Sequence, residues 1–466
     1  MNNFLLIRPP SKYIKERILP PLDLIYVASV LENEGLNAHL FDMLLNASYE
    51  ELIKVVDKTF PEITVIQCDF INFYECKKIA SIVKKLCNKT HLILVGPLPS
   101  SFTHKVMKEI PEIDFCIIGE VEKTIVELVN AINKKDSLKK VKGIAFRRKK
   151  HIYITQKRPL IRNLDSIPFP DRKLISLNKY KFLPHEFKHT SITTMICSRG
   201  CSFKCAFCTK PIYGSQSSPY LFNDDYRVRS PENVISEIKK VVDDYSIKEI
   251  FFFDDVFGLK KRWNEKFCNL LIKEKLDLIW SCQTRVDVVN KKTLLKMAKA
   301  GCWSILYGLE SGNQRLLNLL NKEITINQIK KVIKLTKDSN ISVRSSFILG
   351  IPTETKQEAI ETIKFAKLLN PMYAQFHLLA PFKGTKIYEF CNSLGKKFNE
   401  TFLDFDTPYR VNFLSDTYDS ESELIEMQKF AYRSFYLNPK KIFEVVSKIR
   451  SFNQLKSCIG VLKLLL

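Results

Sequence analysis

The sequence lacks the features that would place the protein in a membrane or outside the cell. No apolar run approaches the roughly 20 residues that a membrane-spanning helix needs. No charged-then-apolar leader opens the chain at Met1-Asn-Asn-Phe-Leu, and its 13 cysteines, an odd number, do not suit a secreted disulfide framework. A reducing, cytoplasmic compartment is therefore expected. The apolar segment Ile459–Leu466 leaves a peripheral contact with a membrane surface open.

The chain also lacks a dense basic patch, although it is strongly basic overall. Its 73 Lys and Arg exceed its 50 Asp and Glu, which gives a formal net charge of +23. Such a charge would attract nucleic acid, anionic lipid or a phosphorylated substrate. The basic residues are scattered, however, and only short runs such as Arg147-Arg-Lys-Lys150 cluster. A solvated basic surface is therefore expected, and nucleic acid is not the expected partner.

A second CxxC unit or Cys/His pair, which structural zinc sites usually contain, is missing downstream of the one dense cysteine loop. That loop is Cys201-Ser-Phe-Lys-Cys205-Ala-Phe-Cys208. Soft thiolates select zinc, copper(I) or iron-sulfur clusters, and a cubane cluster normally takes four cysteine ligands. Three ligands would leave one iron open to bind a small molecule and act on it. A structural zinc knuckle with Cys197 as its fourth ligand is the alternative.

Short apolar runs alternate with helical segments in residues 1–140. This alternation predicts a doubly wound parallel sheet with helices on both faces, which binds its ligand at the carboxyl ends of the strands. The predicted strands are Phe4–Ile7, Ala38–Phe41, Ile63–Ile66, Leu92–Val95 and Phe115–Ile118. The turns available to line the ligand crevice are Arg8–Pro10, Phe41-Asp42, Gln67–Asp69, Gly96–Ser101 and Gly119-Glu120.

Residues 186–398 contain six further strand and helix units, which predict a partial (β/α)6 barrel. A proline-rich linker, residues 141–185, precedes this barrel, and a helical extension, residues 399–466, follows it. The predicted strands are Ile192–Ile196, Glu249–Phe253, Leu278–Cys282, Ser304–Gly308, Ser342–Leu349 and Ala374–Leu379. Barrel chemistry occurs at the C-terminal strand ends. The residues there are the cysteine loop, Asp254-Asp255, Gln283–Arg285, Glu310-Ser311, Gly350–Pro352 and Pro381–Thr385.

The cysteine loop resembles the radical S-adenosylmethionine (SAM) superfamily, whose CxxxCxxC motif carries an aromatic residue before the last cysteine, here Phe207. Pro20–Leu31, the Gly96-Pro97 turn and Gly119–Glu122 resemble the cobalamin-binding domain of one subgroup. The sequence departs from that subgroup in one respect, because the single Gly96 replaces a double glycine. The cobalt-ligating motif Asp-x-His-x-x-Gly is absent, as is normal in the subgroup. A domain that keeps this fold without cobalamin is therefore left open.

The resemblance implies a set of site residues. Cys201, Cys205 and Cys208 would hold a 4Fe-4S cluster. The implied SAM contacts are Asp254 and Asp255 at the ammonium group, Arg285 in preference to Arg344 at the carboxylate, Glu310 and Ser311 at the ribose, and Gly350 and Phe207 along the adenine. Cobalamin would be bound by Gly96, Pro97, Gly119 and Glu120. Gln375 and His377 would either face the substrate cavity or fill the barrel interior.

By the same resemblance, the protein cleaves SAM reductively to a 5′-deoxyadenosyl radical, and cobalamin-dependent methylation of an unactivated carbon is the leading reaction. The alternatives are a radical cyclase or rearrangement enzyme with little or no cobalamin, and a zinc-stapled basic binding protein. Methylthio transfer is disfavoured, because the N-terminal domain lacks three suitably spaced cysteines. The run Tyr432–Pro439 resembles the extension of relatives that act on lipids and tetrapyrroles. The implied partners are a small-molecule or lipid-like substrate and an electron donor such as flavodoxin or ferredoxin.

Overall fold

The structure is a computed structural model, and it describes residues 3–11, 17–183, 185–210, 226–395, 411 and 413–446. The chain divides into two compact units. The first unit comprises Met1–Phe182, Thr193–Ser202 and Thr209–Asn233, and the second comprises Leu183–Ile192, Phe203–Cys208 and Val234–Leu466. The predicted apolar segment Ile459–Leu466 lies outside the described residues. Among the described residues, no helix has the length and apolar content needed to cross a membrane.

The first sheet has seven strands in the order β2-β1-β3-β4-β5-β6-β7. The five predicted parallel strands are all present, and β6 and β7 extend the sheet as antiparallel strands that the sequence analysis did not predict. The strand order reverses at β1, so the carboxyl ends of β1 and β3 flank the ligand crevice of this fold. The strands are β1 Asn3–Arg8, β2 Asn37–Asp42, β3 Ile63–Gln67, β4 His91–Val95, β5 Phe115–Ile117, β6 Ile144–Arg148 and β7 His151–Ile154.

Helices pack around this sheet because their apolar faces must be buried against it. The first begins after Pro21, and the second begins at a capping box in which Ser48 and Glu51 each bond the other's backbone N–H. Leu6, Val65 and Ile93 form the centre of the core, each fully buried. The helices are Leu22–Asn33, Tyr49–Thr59, Phe73–Leu86, Pro97–Ser101, Thr103–Glu109 and Val121–Asn133, with short 3-10 turns at Met43–Leu45, Leu138–Lys140, Leu164–Ser166, Arg172–Leu174 and Leu177–Lys179.

A second sheet has six strands in the order β15-β14-β13-β12-β11-β8, and the pairs from β11 to β15 are parallel. The six predicted barrel strands are present, and their order along the sheet follows their order in the chain. The strands are β8 Ile192–Met195, β11 Glu249–Phe252, β12 Ile279–Thr284, β13 Cys302–Glu310, β14 Ser342–Leu349 and β15 Tyr373–Leu378. A separate two-stranded antiparallel ribbon, β9 Ser198–Arg199 and β10 Arg227–Val228, lies on either side of the cysteine loop in the sequence.

Helices connect the strands of the second sheet, and several of their N-termini carry side-chain caps. Thr325 and Thr355 form capping boxes with Gln328 and Glu358, and Ser230 caps the helix that starts at Pro231 through a 3.1 Å bond to the N–H of Asn233. The helices are Pro231–Tyr245, Lys261–Glu274, Lys291–Lys299, Gln314–Leu319, Ile326–Asp338, Lys356–Leu369 and Lys386–Ser393.

Helices Glu421–Tyr436 and Pro439–Val446 form the described part of the C-terminal extension, and the first of them covers the outer edge of β15. The hydroxyl of Tyr436 lies 2.9 Å from both the N–H and the carbonyl of Ala374, and Tyr432 accepts from the N–H of Phe376 at 3.2 Å. These bonds satisfy edge groups that would otherwise be available to pair with another strand. The tyrosines of the Tyr432–Pro439 run therefore have a structural role.

Candidate active site

The three motif cysteines differ from most other cysteines of the protein in their exposure. Cys201, Cys205 and Cys208 are partly exposed, whereas Cys197 is only 1% exposed and is buried like most of the described cysteines. Within the described residues, no three His, Cys, Asp or Glu side chains are gathered closely enough to hold a metal ion. The three thiols are therefore not arranged as ligands around one metal position. Their chemistry nevertheless fits an iron-sulfur cluster, because they are accessible soft ligands on one loop.

The backbone of the loop on either side of the second cysteine, Cys205, is held by a three-residue segment, Leu320–Lys322, which we call the strap. The N–H of Ala206 donates to the carbonyl of Leu320 at 2.8 Å, and the side-chain amide of Asn321 donates to the carbonyl of Lys204 at 2.8 Å. The ring of Phe207 packs against an apolar cluster that includes Leu316 and Ile351. These contacts set the loop conformation without using a cysteine side chain.

Arg285, at the end of β12, contacts the cysteine loop directly. Its Nη1 donates to Sγ of Cys205 at 3.4 Å, and its guanidinium carbon lies 3.6 Å from the centroid of the Phe203 ring. Its Nε and Nη2 each donate to the carboxylate of Asp287 at 2.9 Å, and Nη2 also donates to the carbonyl of Lys322 at 2.6 Å. Asp287 and Lys322 were not predicted from the sequence as site residues.

Glu310, at the end of β13, forms a buried ion pair. Its Oε1 lies 2.6 Å from Nζ of Lys322, and the two residues are 6% and 5% exposed. Gly308 makes room for the pair, because a Cβ at that position would lie 2.5 Å from Oε1 of Glu310. The backbone of Glu310 is left-handed, with φ 65°, and the register of the ladder between β13 and β14 shifts between Gly308 and Glu310. The pair places one fixed carboxylate at the strand end.

Asp254 and Asp255 follow β11, and they differ in accessibility. Asp254 is fully buried and its backbone carbonyl accepts from the side-chain amide of Gln283 at 2.6 Å, which links the ends of β11 and β12. Asp255 is partly exposed. Of the two carboxylates, Asp255 is therefore the more accessible to solvent.

The fold itself uses the polar groups of Ser311 and Gly350. The hydroxyl of Ser311 is buried, lies 3.1 Å from that of Thr362 and accepts from the N–H of Asn313 at 3.1 Å. Gly350 has φ 73°, and a Cβ there would lie 2.9 Å from Leu424. The fold therefore accounts for both residues: the Ser311 hydroxyl bonds Thr362 and Asn313, and glycine at position 350 avoids a clash with Leu424.

Arg344 lies within β14 rather than at its end, and it is only 1% exposed. Its Nη1 is 3.9 Å from Oε1 of Glu186, and its guanidinium lies over the ring of Phe251 at 5.4 Å. This position makes it a buried structural residue.

His377 on β15 is 3.3 Å from Gln375, and burial lowers the pKa of His377 while Glu310 opposes that shift. The side chains of His377 and Glu310 are therefore close enough to interact electrostatically.

In the first unit, the Gly96 and Gly119 turns are joined through Ser100. The hydroxyl of Ser100 donates to the carbonyl of Gly96 at 2.7 Å and lies 3.1 Å from the N–H of Gly119. Gly96 has φ 117°, and a Cβ there would lie 2.7 Å from the carbonyl oxygen of Cys68, so the fold alone requires glycine. Pro97 begins the short helix that follows. Gly119 has φ 88°, and a Cβ there would meet nothing within 4 Å.

Glu120 is the centre of a buried ion network rather than an open ligand contact. Its Oε1 accepts from Arg199 and from Arg227 at 2.9 Å each, and its Oε2 accepts from the N–H of Ile161 at 2.6 Å. Burial alone would raise the pKa of Glu120, but the two guanidinium groups outweigh it and hold the pKa below its ordinary value. The carboxylate therefore positions Arg199, two residues before Cys201.

Glu354 gives the protein a testable pH dependence. It is fully buried, its Oε2 accepts from the N–H of Gly350 at 2.6 Å, and burial raises its pKa to about 8. The folded protein therefore keeps a proton that the unfolded chain loses near pH 4.5, so stability should fall as pH rises from about 4.5 to about 8. We expect Glu354→Gln to flatten this dependence by up to a few kcal/mol, measured by chemical denaturation at several pH values. Unchanged pH curves in the variant would contradict the assignment.

Two family profiles match the chain. The Radical SAM superfamily profile matches residues 195–366, and the B12 binding domain profile matches residues 16–129. The protein described as uncharacterized methyltransferase PH0819, from Pyrococcus horikoshii, is 31% identical over 464 residues, covering 98% of this chain and 98% of that protein. The chain belongs to the radical SAM superfamily, in the group with a B12-binding domain. The resemblance to this superfamily and subgroup that the sequence predicted is thus confirmed.

The chain is also similar to a second curated protein and to a solved structure. The anaerobic magnesium-protoporphyrin IX monomethyl ester cyclase of Rubrivivax gelatinosus is 29% identical over 90% of this chain and 74% of that protein. The solved structure of the radical SAM methyltransferase TsrM from Kitasatospora setae, with cobalamin and a 4Fe-4S cluster bound, superposes with a TM-score of 0.72 at 13% identity, covering 94% of this chain and 89% of that one. The second likeness confirms the predicted fold class of this radical SAM protein.

The sequence analysis missed residues that act through long-range contacts. Lys322 and Asp287 hold the strand-end carboxylate and arginine, and Arg199 and Arg227 surround Glu120. In the sequence these are ordinary charged residues in turns or short strands, so no local pattern distinguishes them. Their role follows only from their burial beside opposite charges.

Proposed function

We propose that this radical SAM enzyme is a cobalamin-dependent methyltransferase that methylates an unactivated carbon of a small molecule. The observation that carries the proposal is the partly exposed three-cysteine loop, held by the strap beside the strand ends that carry Arg285 and Glu310, in a chain that also matches a B12-binding domain. The full-length relative described as a methyltransferase supports methyl transfer as the reaction.

Cys201, Cys205 and Cys208 would hold the cluster, and Cys197 would remain a buried core residue. The bonds of Ala206 and Lys204 to the strap keep the loop in one conformation, so that little backbone entropy is lost when the ligands engage a cluster. When bound, the cluster supplies the electron that cleaves SAM, and cobalamin carries the methyl group.

Asp255 and Glu310 are the carboxylates that would orient SAM. Asp255 is partly exposed and suits the substrate ammonium, since opposite charges attract strongly at a partly desolvated site. One carboxylate oxygen of Glu310, Oε1, accepts from Lys322, and the other oxygen would accept from the ribose hydroxyls. Phe207 would stack on or near the adenine. Asp254, Ser311 and Gly350 shape the walls behind these residues.

The first unit fits cobalamin at one of the predicted turns. Gly119 offers open space at the carboxyl end of β5, and Gly96 and Pro97 form the neighbouring turn that Ser100 ties to it. We propose that the backbone of these turns approaches the cofactor. Glu120 would support the turn from behind through its bonds to Arg199 and Arg227.

A radical cyclase is the second candidate, favoured by the 29% identity to the magnesium-protoporphyrin cyclase. Either reaction requires an electron donor, and flavodoxin or ferredoxin would serve. The two candidates differ in whether a methyl group from SAM enters the product.

Anaerobic reconstitution with iron, sulfide and cobalamin tests the proposal. We expect about four irons per chain, bound cobalamin, and reductive formation of 5′-deoxyadenosine from SAM. With methyl-deuterated SAM, a small-molecule or lipid extract should yield a labelled product that the Cys205→Ala protein does not form. Deoxyadenosine without any labelled product would favour the cyclase, and stoichiometric zinc without iron would refute both.

A further inference from the structure

The guanidinium of Arg285 is directed at a proposed cluster ligand rather than at open space. Its Nη1 donates to Sγ of Cys205 at 3.4 Å, within hydrogen-bond range for sulfur, and Arg285 is only 5% exposed. The face of the guanidinium lies on the ring of Phe203 at 3.6 Å, so the aromatic ring holds its plane.

The other donors of Arg285 are largely committed to the protein. A guanidinium has five N–H donors, and the bonds to Cys205, Asp287 and Lys322 use four of them. The paired bonds to Asp287 are bidentate, which is the strongest and most directional geometry for such a pair. Little capacity is left for a substrate carboxylate, so the predicted contact of Arg285 with the carboxylate of SAM does not suit this geometry.

The same strap orients both partners of the contact. Leu320 and Asn321 bond the backbone on either side of Cys205, and the carbonyl of Lys322 accepts from Arg285 at 2.6 Å. The backbone of Asn321 is left-handed, with φ 49°, a conformation that asparagine tolerates better than most residues. The distance between guanidinium and thiol is therefore set by a network and not by one flexible side chain.

We propose that Arg285 is a positioning residue that orients the Cys205 thiolate and raises the reduction potential of the cluster. This inference rests on the proposed function, in which Cys205 is a cluster ligand. A cation that donates a hydrogen bond to a cluster sulfur stabilises the added electron, and such bonds are among the factors that set cluster potentials. A hydrogen bond from a charged donor is also stronger than one between neutral groups, so its loss should shift the equilibrium between oxidised and reduced cluster measurably.

The test is a redox titration of reconstituted Arg285→Gln protein without SAM, followed by electron paramagnetic resonance of the reduced cluster. We expect the ratio of reduced to oxidised cluster at a fixed potential to fall about tenfold, which corresponds to about 59 mV for one electron. Arg285→Lys keeps the charge but lacks the planar fork, so its ratio should fall about threefold. The affinity for SAM, measured by equilibrium dialysis, should change less than about threefold in both variants.

Arg315→Gln is the matched control, because it removes the same charge from an exposed arginine that pairs with Glu358 and Thr353. Its cluster potential should equal that of the wild type. Unchanged potentials in both Arg285 variants, with SAM affinity at least tenfold weaker, would assign Arg285 to the SAM carboxylate and overturn the inference. If the Arg285 variants lost iron but the clusters that remain kept the wild-type potential, Arg285 would have only a structural role and the inference would be wrong. Failure of the wild-type protein to take up a four-iron cluster would instead refute the proposed function.

Discussion

Replacement of any one of Cys201, Cys205 or Cys208 by alanine is expected to lower the iron content from about four per chain to below about one after anaerobic reconstitution. Each thiolate would be one of only three protein ligands, so the remaining two leave a second iron open and the cluster unstable. Formation of 5′-deoxyadenosine should then fall below detection. Iron and sulfide analysis, together with the loss of the broad cluster absorbance, measures the effect.

Cys197→Ala is the matched control for this series, since Cys197 lies four residues before the motif but is buried. We expect it to keep the wild-type iron content and to lose about 1 kcal/mol of stability, as is common for a small buried truncation. If Cys197→Ala also lost its iron while one motif variant kept it, the ligand assignment would be wrong and Cys197 would be a cluster ligand.

Glu120→Ala is expected to destabilise the protein by about 3–5 kcal/mol, because it removes the buried carboxylate that Arg199 and Arg227 share, although Arg199 keeps its ion pair with Glu122. The pKa of Glu120 is held below its ordinary value, so its stabilising effect is present at neutral pH and is lost as the pH falls through that lowered pKa. The difference between wild type and variant should therefore be largest near pH 7. Denaturant unfolding at pH 7 and at pH 4 measures it.

Glu127→Ala is the control for charge alone, because Glu127 pairs with Arg158 on the surface and its side chain is 51% exposed. A surface pair of this kind contributes about 0–1 kcal/mol, so the control should stay close to the wild type. Equal losses in the two variants would show that Glu120 is not the centre of a buried network. Since Glu120 orients Arg199, we also expect the Glu120 variant to take up less iron than the Glu127 variant.

The sheets could be predicted because their signals are local. Apolar runs such as Ile63–Gln67 are buried along their length, and prolines, glycines and capping boxes mark the helix ends. The hairpin of β6 and β7 escaped prediction, since its basic turn at Arg148–Lys150 and its largely exposed second strand obscure the apolar pattern. Edge strands depend on a neighbour that local sequence does not contain.

The sequence by itself determined the fold class, the cysteine loop and the polar character of the strand ends, because spacing and hydrophobic period are properties of neighbouring residues. Only the tertiary structure decided what each polar residue contacts. Glu120 meets arginines 79 and 107 residues away, and Arg285 meets a cysteine 80 residues away. A buried charge takes whichever partner the fold brings to it, so Glu120 and Arg285, which the sequence suggested as cofactor contacts, are found bonded to Arg199 and Cys205.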